Sequence, residues 1–220
     1  PPTDTLGMVF PAVEHPIVDD AWGVIITYQE DGYVDDADAD AIDYVELLGE
    51  MKASTKAGNE QRVAMGYDAL ELVGWAEQPH YEAAEHKLYW ARELAPVGGG
   101  GENSSVNYDV RVLGRTGVLS MNAIGRVDEL DRIKIDMKGL MANVDFGHGN
   151  AYADFDPKVD KVAAYGIGAL VAGTLAGKAG LFKGLFALLF AGKKFVILGI
   201  AGATALVGKM FGRKPKPDAD

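Results

Sequence analysis

The feature that most constrains this chain is its C-terminal stretch 162–212, which is apolar and whose only charged side chains are lysines. Within it, residues 162–182 contain a single charge, Lys178, near one end. A membrane-spanning helix needs about 20 mostly apolar residues, and a lysine near its end reaches the lipid headgroups along its apolar stem. The stretch therefore predicts a membrane-embedded tail with one span over 162–182, which includes Val162, Tyr165, Leu170, Leu175 and Phe182.

The basic residues of the tail predict its orientation. They lie near the end of the proposed span or after it and would lie at the membrane surface: Lys178, Lys183, Lys193, Lys194, Lys209 and Arg213. The positive-inside rule then puts the C-terminus in the cytoplasm and residues 1–160 outside it, which for a bacterial inner membrane would be the periplasm. The alternative is a helical hairpin whose second short span, 195–211, returns the basic C-terminus to the outer side against that rule.

Small residues recur along the tail at a spacing of three or four: Ala169, Gly173, Gly177, Gly180 and Gly184. In lipid, such a ridge allows two helices to approach closely and associate. We therefore expect a homo-oligomer held by its C-terminal helices, with the lipid bilayer and other membrane proteins as further partners. Two alternatives stay open: glycine is common in membrane helices in any case, and the tail could form a buried helical hairpin of a soluble protein.

Charge is distributed unevenly along the chain. Of 21 Lys and Arg residues nine lie in 161–220, and of 32 Asp and Glu residues two lie there, so that this part carries +7 and residues 1–160 carry −18, together −11. An acidic domain beside a basic tail fits an anionic membrane surface and argues against nucleic acid, which requires a basic footprint. The absence of cysteine excludes disulfides and thiolate metal sites. No leader is visible at the start, so an exported domain would need one upstream.

Patterning before the tail predicts an α+β domain. Residues 1–21 are rich in proline and are expected to form loops. Strands are expected at 22–29, 70–78, 87–95, 103–113 and 118–125. One helix should start in the acidic run 35–43, with Ile42, Val45, Leu48 and Met51 along one stripe. A second should be capped by Asp128, with a stripe of Leu130, Ile133, Met137, Leu140, Met141 and Val144.

Sequential hairpins with helices before and after them predict an antiparallel meander sheet covered by helices. The predicted organisation is an extracytoplasmic domain over 1–155, a linker over 156–161, the membrane segment over 162–212 and a basic or polar end over 213–220. On the strand 103–113, valines and a tyrosine occupy one face, and Asn107, Asp109 and Arg111 occupy the other.

Two polar patterns in the sequence are candidate metal sites: the acidic run 35–43 and the pair His80 and His86. The acidic run 35–43 resembles a calcium loop in its alternate aspartates, but Ala41 and Leu47 stand where that loop requires glycine and glutamate. The run is therefore interpreted as the start of a helix. His80 and His86 flank a predicted polar hairpin and lack a supporting ligand motif. The sequence predicts no catalytic, cofactor-binding or metal-binding residue and no cofactor.

Six stretches resemble one family: DTLGMVFP (4–11), GYVDD (32–36), LVGWAEQPHY (72–81), KLYWARE (87–93), NYDVRVLGRTGVL (107–119) and YADFDPKVDKVAAYGIGALVAG (152–173). They are similar to the bacterial predicted membrane-anchored proteins grouped as domain of unknown function 2167. The resemblance implies an exported leader, an extracytoplasmic domain and a C-terminal membrane segment, and it supplies no activity. The order of elements is also similar to the Mog1/PsbP-type sandwich.

The expected function is that of a membrane-anchored structural or interaction protein. One alternative is a carboxylate- or histidine-dependent hydrolase tethered to the membrane. The other is a pore-forming or transport assembly of the tails.

Overall fold

The computed structural model describes residues 5–12, 21–99 and 104–173. Residues up to Gly173 belong to one compact unit. Its strands are β1 (Thr5–Val9), β2 (Gly23–Gln29), β3 (Leu70–Glu82), β4 (Lys87–Pro96), β5 (Ser105–Leu113) and β6 (Val118–Arg126). Its helices are α1 (Tyr44–Ala64), α2 (Leu130–Met141) and α3 (Ile167–Ala172), with short 3-10 turns between elements.

All six strands form one antiparallel sheet in the order β1-β2-β6-β5-β4-β3. The four strands β3 to β6 form the meander that the sequence predicts, joined by hairpins. β2 then pairs with β6, and β1 extends the sheet by one strand beyond β2. The α+β class with an antiparallel sheet is therefore confirmed.

The first face of the sheet packs against α2 and forms the hydrophobic core. β5 contributes the alternating residues Val106, Tyr108, Val110 and Val112, all buried in this core. Helix α2 adds Ile133, Met137 and Met141, with Leu130, Leu140 and Val144 partly buried beside them. The period-two and helical patterns of the sequence thus meet on this face, because strand alternation and helix repeat each collect apolar side chains on one side.

The second face of the sheet is covered by α1 and by the C-terminal part of the domain. Trp75 on β3 lies beside Arg92 on β4 in the strand register, and its indole Nε1 donates to the carbonyl of Tyr44 at the start of α1 (3.1 Å). Residues 152–173, here called the strap, then run along the domain. Their Val162 forms a parallel bridge with Tyr33, and their α3 buries Ile167, Leu170 and Val171.

Gly32 is required because the strap, at Lys161 and Ala163, packs directly against it. Its φ is +110°, and a Cβ there would lie 2.6 Å from the carbonyl oxygen of Lys161. Any larger residue would push the strap away, so glycine permits both the conformation and the close approach.

Several local predictions are corrected by the structure. Residues 5–9, expected as loop, form the edge strand β1, and β3 continues to Glu82 rather than ending at Gln78. Helix α1 buries Leu47 and Met51, whereas Val45 of the predicted face is exposed. Both buried residues lie in the first half of α1, so few apolar positions decide its orientation.

The cap of α2 also differs from the prediction. Asp128 lies within a 3-10 turn and pairs with Arg126 (2.7 Å), while Glu129 accepts the backbone N–H of Arg126 (2.9 Å). The carboxylate of Glu129, one residue after Asp128, therefore caps this turn.

The predicted linker 156–161 and the first residues of the predicted span belong to the folded domain. The bridge at Val162 and the helix at Ile167–Ala172 are followed by Gly173 in the left-handed region, which ends α3. A single helix beginning at Val162 is therefore not observed, because buried contacts and hydrogen bonds hold these residues on the sheet. Across the described residues, no helix is long and apolar enough to cross a membrane. The remainder of the predicted span and tail, from residue 174 onward, lies outside the described residues.

Candidate functional site

The most highly organised polar group of the domain lies at the centre of the second sheet face. Asp109 on β5 is only 1% exposed. Its Oδ2 accepts from Arg92 on β4 (2.9 Å), and its Oδ1 accepts from Asn122 on β6 (2.8 Å) and contacts Arg111 Nη2 (3.2 Å). These four residues are called the Asp109 cluster. They come from three adjacent strands, so the sheet register alone brings them together.

The cluster carries a net positive charge from two partly buried guanidinium groups and one buried carboxylate. Burial lowers the pKa of Arg111, and the charge of Asp109 counteracts that lowering. The guanidinium of Arg111 also lies 4.9 Å from the ring centre of Trp90, a cation–π geometry. Asp109 is 1% exposed and both of its oxygens accept bonds from protein donors, so its surroundings indicate a structural role rather than that of a general base. The arrangement links three strands and supports the part of the chain that packs over them, which includes Tyr165.

Polar contacts spread along its length attach the strap to the domain, and the following four lie between residues 160 and 168. Arg115 forms a bidentate pair with Asp160 (2.8 and 3.1 Å). The backbone of Tyr33 exchanges two hydrogen bonds with Lys161 and Ala163 (2.8 Å each). Tyr165 donates to Asp31 (2.8 Å), and it lies close enough to Arg111 to affect the pKa of that residue. Burial and the bond to Asp31 raise the pKa of Tyr165.

The fourth contact comes from the acidic run 35–43. Asp38 accepts the backbone N–H groups of Ile167 (2.9 Å) and Gly168 (3.2 Å) at the start of α3. Asp43 accepts from Val45 and Glu46 and caps α1, as the sequence predicts. The run therefore starts two helices, one of them 129 residues further along the chain. Among the described residues, no group of three or more His, Cys, Asp or Glu could hold a metal ion.

A stack of four rings joins the strap to the β3–β4 turn. Phe155, Tyr33, Tyr152 and His86 follow one another with ring centres 3.9, 4.4 and 4.1 Å apart. The Tyr152 hydroxyl donates to the carbonyl of Val34 (2.9 Å). Aromatic contacts of this kind add to the burial of the rings themselves, so the stack fixes the start of the strap.

His86 also belongs to a polar corner with Asp36 and Tyr81. Tyr81 donates to Asp36 (2.7 Å), and its oxygen lies 3.1 Å from His86 Nδ1. Burial and the bond to Asp36 raise the pKa of Tyr81, so this phenol stays protonated. In the described chain, no hydrogen bond joins a serine or threonine hydroxyl to this histidine, and the corner lacks the nucleophile–base pair of a hydrolase.

The two histidines of the β3–β4 hairpin lie on different faces of the sheet. His80 stacks on Tyr89 (5.1 Å), whose register partner Val110 lies in the α2 core. His86 lies with Tyr81, whose partner Leu88 pairs with Arg111 on the second face. The two histidines therefore contact opposite sides of the sheet, and they do not form a shared metal site.

A shallow apolar pocket of about 350 Å³ lies between α2 and the chain that leaves β1. Its walls include Phe10, Trp22, Met137 and Leu140, and its polar members are Arg132 and Asp136. The Arg132–Asp136 pair (3.7 Å) is a helical i, i+4 contact on an exposed surface. This chemistry suits an apolar group and offers no catalytic pair.

The site residues predicted for the tail divide at Gly173. Val162 is exposed beside the Tyr33 bridge, Tyr165 bonds to Asp31, and Ala169 and Leu170 are buried within the domain. Gly173 ends α3 at φ +71°. Ala169 is thus buried within the strap, whereas Gly173 at its end is exposed. The other predicted tail residues lie outside the described residues: Leu175, Gly177, Lys178, Gly180, Phe182, Lys183, Gly184, Lys193, Lys194, Lys209 and Arg213.

Sequence reasoning missed the Asp109 cluster and the strap. A signal was present, since Asn107, Asp109 and Arg111 alternate with the core residues of β5. A polar strand face is usually solvated, however, and the sequence contains no local sign that the strap covers it.

Comparison with known proteins gives a family and no activity. No curated protein and no solved structure matches the chain. The model of the family described as Protein of unknown function (DUF2167) matches residues 1–204, which includes the sheet, the Asp109 cluster and the strap. The chain therefore belongs to the DUF2167 family of proteins of unknown function.

Proposed function

We propose that this protein is a membrane-anchored, extracytoplasmic structural or interaction protein that self-associates through its C-terminal helices. The observation that carries the proposal is the attachment of the strap. Hydrogen bonds, an ion pair and a capped helix hold the chain on the sheet up to Gly173. Immediately after that residue comes the apolar sequence whose charges, as far as residue 212, are all lysines.

A firmly attached strap suits an anchor. With residues 156–161 folded onto the domain, no free linker separates the domain from the tail sequence, so the point at which the chain leaves the domain is fixed. The proposed membrane-embedded region narrows to 174–212. Within it, 195–208 are fourteen uncharged residues, a length of about 10 to 14 that is more typical of interfacial or re-entrant segments than of a full span.

Membrane anchoring is tested by fractionation. The chain is expressed behind a secretory leader, either in full or ending after Gly173, and membranes are washed with carbonate at high pH. We expect the full chain to remain in the pellet and the shortened chain to be released. A full chain released by carbonate contradicts the anchor.

Topology is tested with reporters. Alkaline phosphatase, which is active outside the cytoplasm, and green fluorescent protein, which is fluorescent inside it, are fused after Gly212. The positive-inside rule predicts fluorescence and no phosphatase activity. The reverse pattern supports the hairpin, in which the basic end returns to the outer side.

A second candidate function is a tethered histidine-dependent hydrolase, for which the corner of Asp36, Tyr81 and His86 supplies a histidine beside a carboxylate and no nucleophile. The distance from His86 Nδ1 to Asp36 Oδ2 is 3.8 Å. The variant His86→Phe keeps a ring in the stack with Tyr152 and removes the titratable nitrogens. Hydrolysis of ester, peptide or phosphoester substrates that is lost in this variant, with folding retained, would establish the hydrolase. A pore-forming assembly would instead release a dye from vesicles that contain the full chain.

For the fold, we propose a sandwich of the Mog1/PsbP type. An antiparallel sheet with α2 on one face and α1 on the other supports it. The test is an experimental structure whose strand order and helix placement are compared with that fold.

A further inference from the structure

The strap carries a group of exposed residues near its middle. Val159 and Val162 are 73 and 52% exposed, and Lys158 and Lys161 are exposed as well. These four residues are called the outer patch. At the surface of an anionic bilayer, apolar side chains enter the headgroup region and ammonium groups contact lipid phosphates. The composition of the outer patch therefore suits a lipid surface.

The backbone of the outer patch is held in place by hydrogen bonds. The N–H of Val159 donates to the carbonyl of Asp156 (3.1 Å), which closes a turn. The N–H of Tyr33 donates to the carbonyl of Lys161 (2.8 Å), and Val162 forms the bridge with the same tyrosine. The patch is therefore already ordered, so that binding does not have to immobilise a loop.

The carboxylates of the strap are engaged by donors other than the two lysine ammonium groups. Asp154 accepts two backbone N–H groups (2.8 and 3.0 Å), and Asp156 accepts the backbone N–H of Lys158 (2.9 Å). Asp160 pairs with Arg115 (2.8 Å), and its side chain is 9% exposed. Within the described residues, neither lysine of the outer patch forms an ion pair, so both charges are available to an external anion.

Other parts of this chain fit the outer patch less well. Every charged side chain of 174–212 is a lysine, and these charges repel the lysines of the patch. Segments 13–20 and 100–103 adjoin Gly23 of β2 and Ser105 of β5, which lie at one end of the sheet. The outer patch bridges the chain beyond the opposite end of β2, whose seven residues separate the two ends by about 20 Å.

We propose that the outer patch rests on an anionic lipid surface, with its two lysines at the headgroup phosphates and its two valines between the headgroups. This inference rests on the proposed membrane anchor and names the side of the domain that faces the bilayer. Residues 1–160 carry −18, so anionic lipid repels the domain as a whole. A surface with two lysines and engaged carboxylates is where the domain approaches such a bilayer at least cost.

The anchor makes a weak contact sufficient. Residues 162–166 and the six residues of α3 connect the outer patch to Gly173. At about 3.4 Å per extended residue and about 1.5 Å per helical residue, the two ends of this connection lie within about 26 Å of each other. The proposed membrane segment follows directly, so a bilayer lies beside every copy of the domain at any protein concentration. This tethering strengthens a contact in which each lysine contributes only about a factor of five.

The chain contains no cysteine, so a single cysteine carries a fluorophore to a chosen position. Full chains with Val159→Cys, or with Ile135→Cys on α2 (73% exposed) as the control, are labelled with bimane. They are reconstituted in vesicles of phosphatidylcholine, with or without an equal part of phosphatidylglycerol, and spin-labelled lipid quenches the fluorophore on contact. We expect strong quenching at position 159 only with phosphatidylglycerol, and none at position 135.

A charge variant tests the role of the two lysines. In the Val159→Cys chain, Lys158→Glu with Lys161→Glu should reduce the quenching to its level in phosphatidylcholine alone. Lys52→Glu with Lys56→Glu makes the same change of charge at exposed positions of α1 and should leave the quenching unchanged.

Three results overturn the docking: equal quenching at both labelled positions, quenching indifferent to phosphatidylglycerol, or no quenching at position 159. A blue shift at that position without quenching, growing with the protein-to-lipid ratio, would assign the patch to a second copy and also overturns it. A carbonate wash of the same vesicles separates the two proposals. A chain that stays with the vesicles without quenching refutes only the docking, whereas a released chain refutes the anchor and the docking with it.

Discussion

At the scale of single residues, Asp109 shows a carboxylate whose surroundings give it a structural role. Three donors occupy its two oxygens, and two of them are guanidinium groups, one on β4 and one on β5 itself. In a buried group of this kind, removing one partner leaves a charge without compensation, and that costs more than the intact group contributes.

We expect Asp109→Ala to destabilise the fold by about 3–5 kcal/mol, because Arg92 and Arg111 then repel each other away from water. The matched control is Asp128→Ala, which breaks an exposed pair with Arg126 and should cost about 0–1 kcal/mol. Urea unfolding of the full chain, followed by tryptophan fluorescence, measures both. Equal effects of the two variants would show that the Asp109 cluster is no more important than a surface pair.

The Arg115–Asp160 pair makes the strap sensitive to acid. The bond from Arg115 lowers the pKa of Asp160 below its ordinary value. A lowered folded pKa means that the pair stabilises the fold fully above the ordinary carboxyl pKa of about 3.9, and that this stabilisation is lost as the pH falls through the lower folded value.

Stability of the full chain should therefore fall below about pH 4, and Asp160→Asn should reduce that fall. The measurement is urea unfolding at pH values from neutral to strongly acidic. Glu60→Gln, an exposed carboxylate on α1, removes the same charge and should leave the acid dependence unchanged. An Asp160→Asn profile parallel to that of the unmodified chain would contradict the role given to the pair.

At the scale of elements, the acidic run 35–43 serves two helices that are distant in sequence. Asp43 caps α1 directly after it, and Asp38 caps α3 in the strap. Helix α3 has only six residues, too few to be stable without support from its surroundings. Its cap and its buried residues therefore determine whether it forms.

We expect Asp38→Ala to lower the free energy of unfolding by about 1 kcal/mol, the usual cost of a lost N-cap. It should also increase amide hydrogen exchange at Ile167 and Gly168, whose N–H groups lose their acceptor. Asp40→Ala, an exposed aspartate in the same run, is the control and should change neither quantity. Unchanged exchange in the Asp38 variant would show that α3 does not depend on this cap.

At the scale of the whole molecule, the structure changes how the proposed association of the tail must be tested. Gly173 has a positive φ and belongs to the strap, so a large residue there would disturb the domain as well as any contact between tails. The ridge available for a test begins at Gly177 and continues through Gly180 and Gly184.

We expect Gly177→Leu with Gly184→Leu to reduce the mass of the full chain in mild detergent, because large side chains keep the helices apart. Ala179→Leu lies about 200° around a helix from Gly177 and should leave the mass unchanged. A chain that ends after Gly173 should be monomeric in dilute solution. The same oligomer in that shortened chain, or no effect of the double variant, would refute association through the tail.

The sequence by itself determined the elements whose residues repeat at the period of a strand or a helix. The alternation of Val106, Tyr108, Val110 and Val112 predicted β5 and its core face, and the spacing of Ile133, Met137 and Met141 predicted the buried side of α2. These patterns are local, and each is produced by the geometry of one element.

The sequence also determined the charge division between 1–160 and 161–220, on which the proposed anchor depends. It predicted β1 poorly, because five residues next to prolines carry too short a pattern to be distinguished from a loop.

Only the tertiary structure shows that the polar face of β5 is covered as well as its apolar face. It alone also shows that the folded domain extends to Gly173. Asp109 and Arg111 have the pattern of a solvated face, and they are buried because the strap, α1 and the neighbouring strands come together there. Residues 162–173 have the composition of a membrane helix. They fold onto the sheet because Asp38, Asp31 and Tyr33, all more than 125 residues earlier, supply their partners. Composition records how apolar a segment is, whereas its partners are chosen by contacts that form only when the chain has folded.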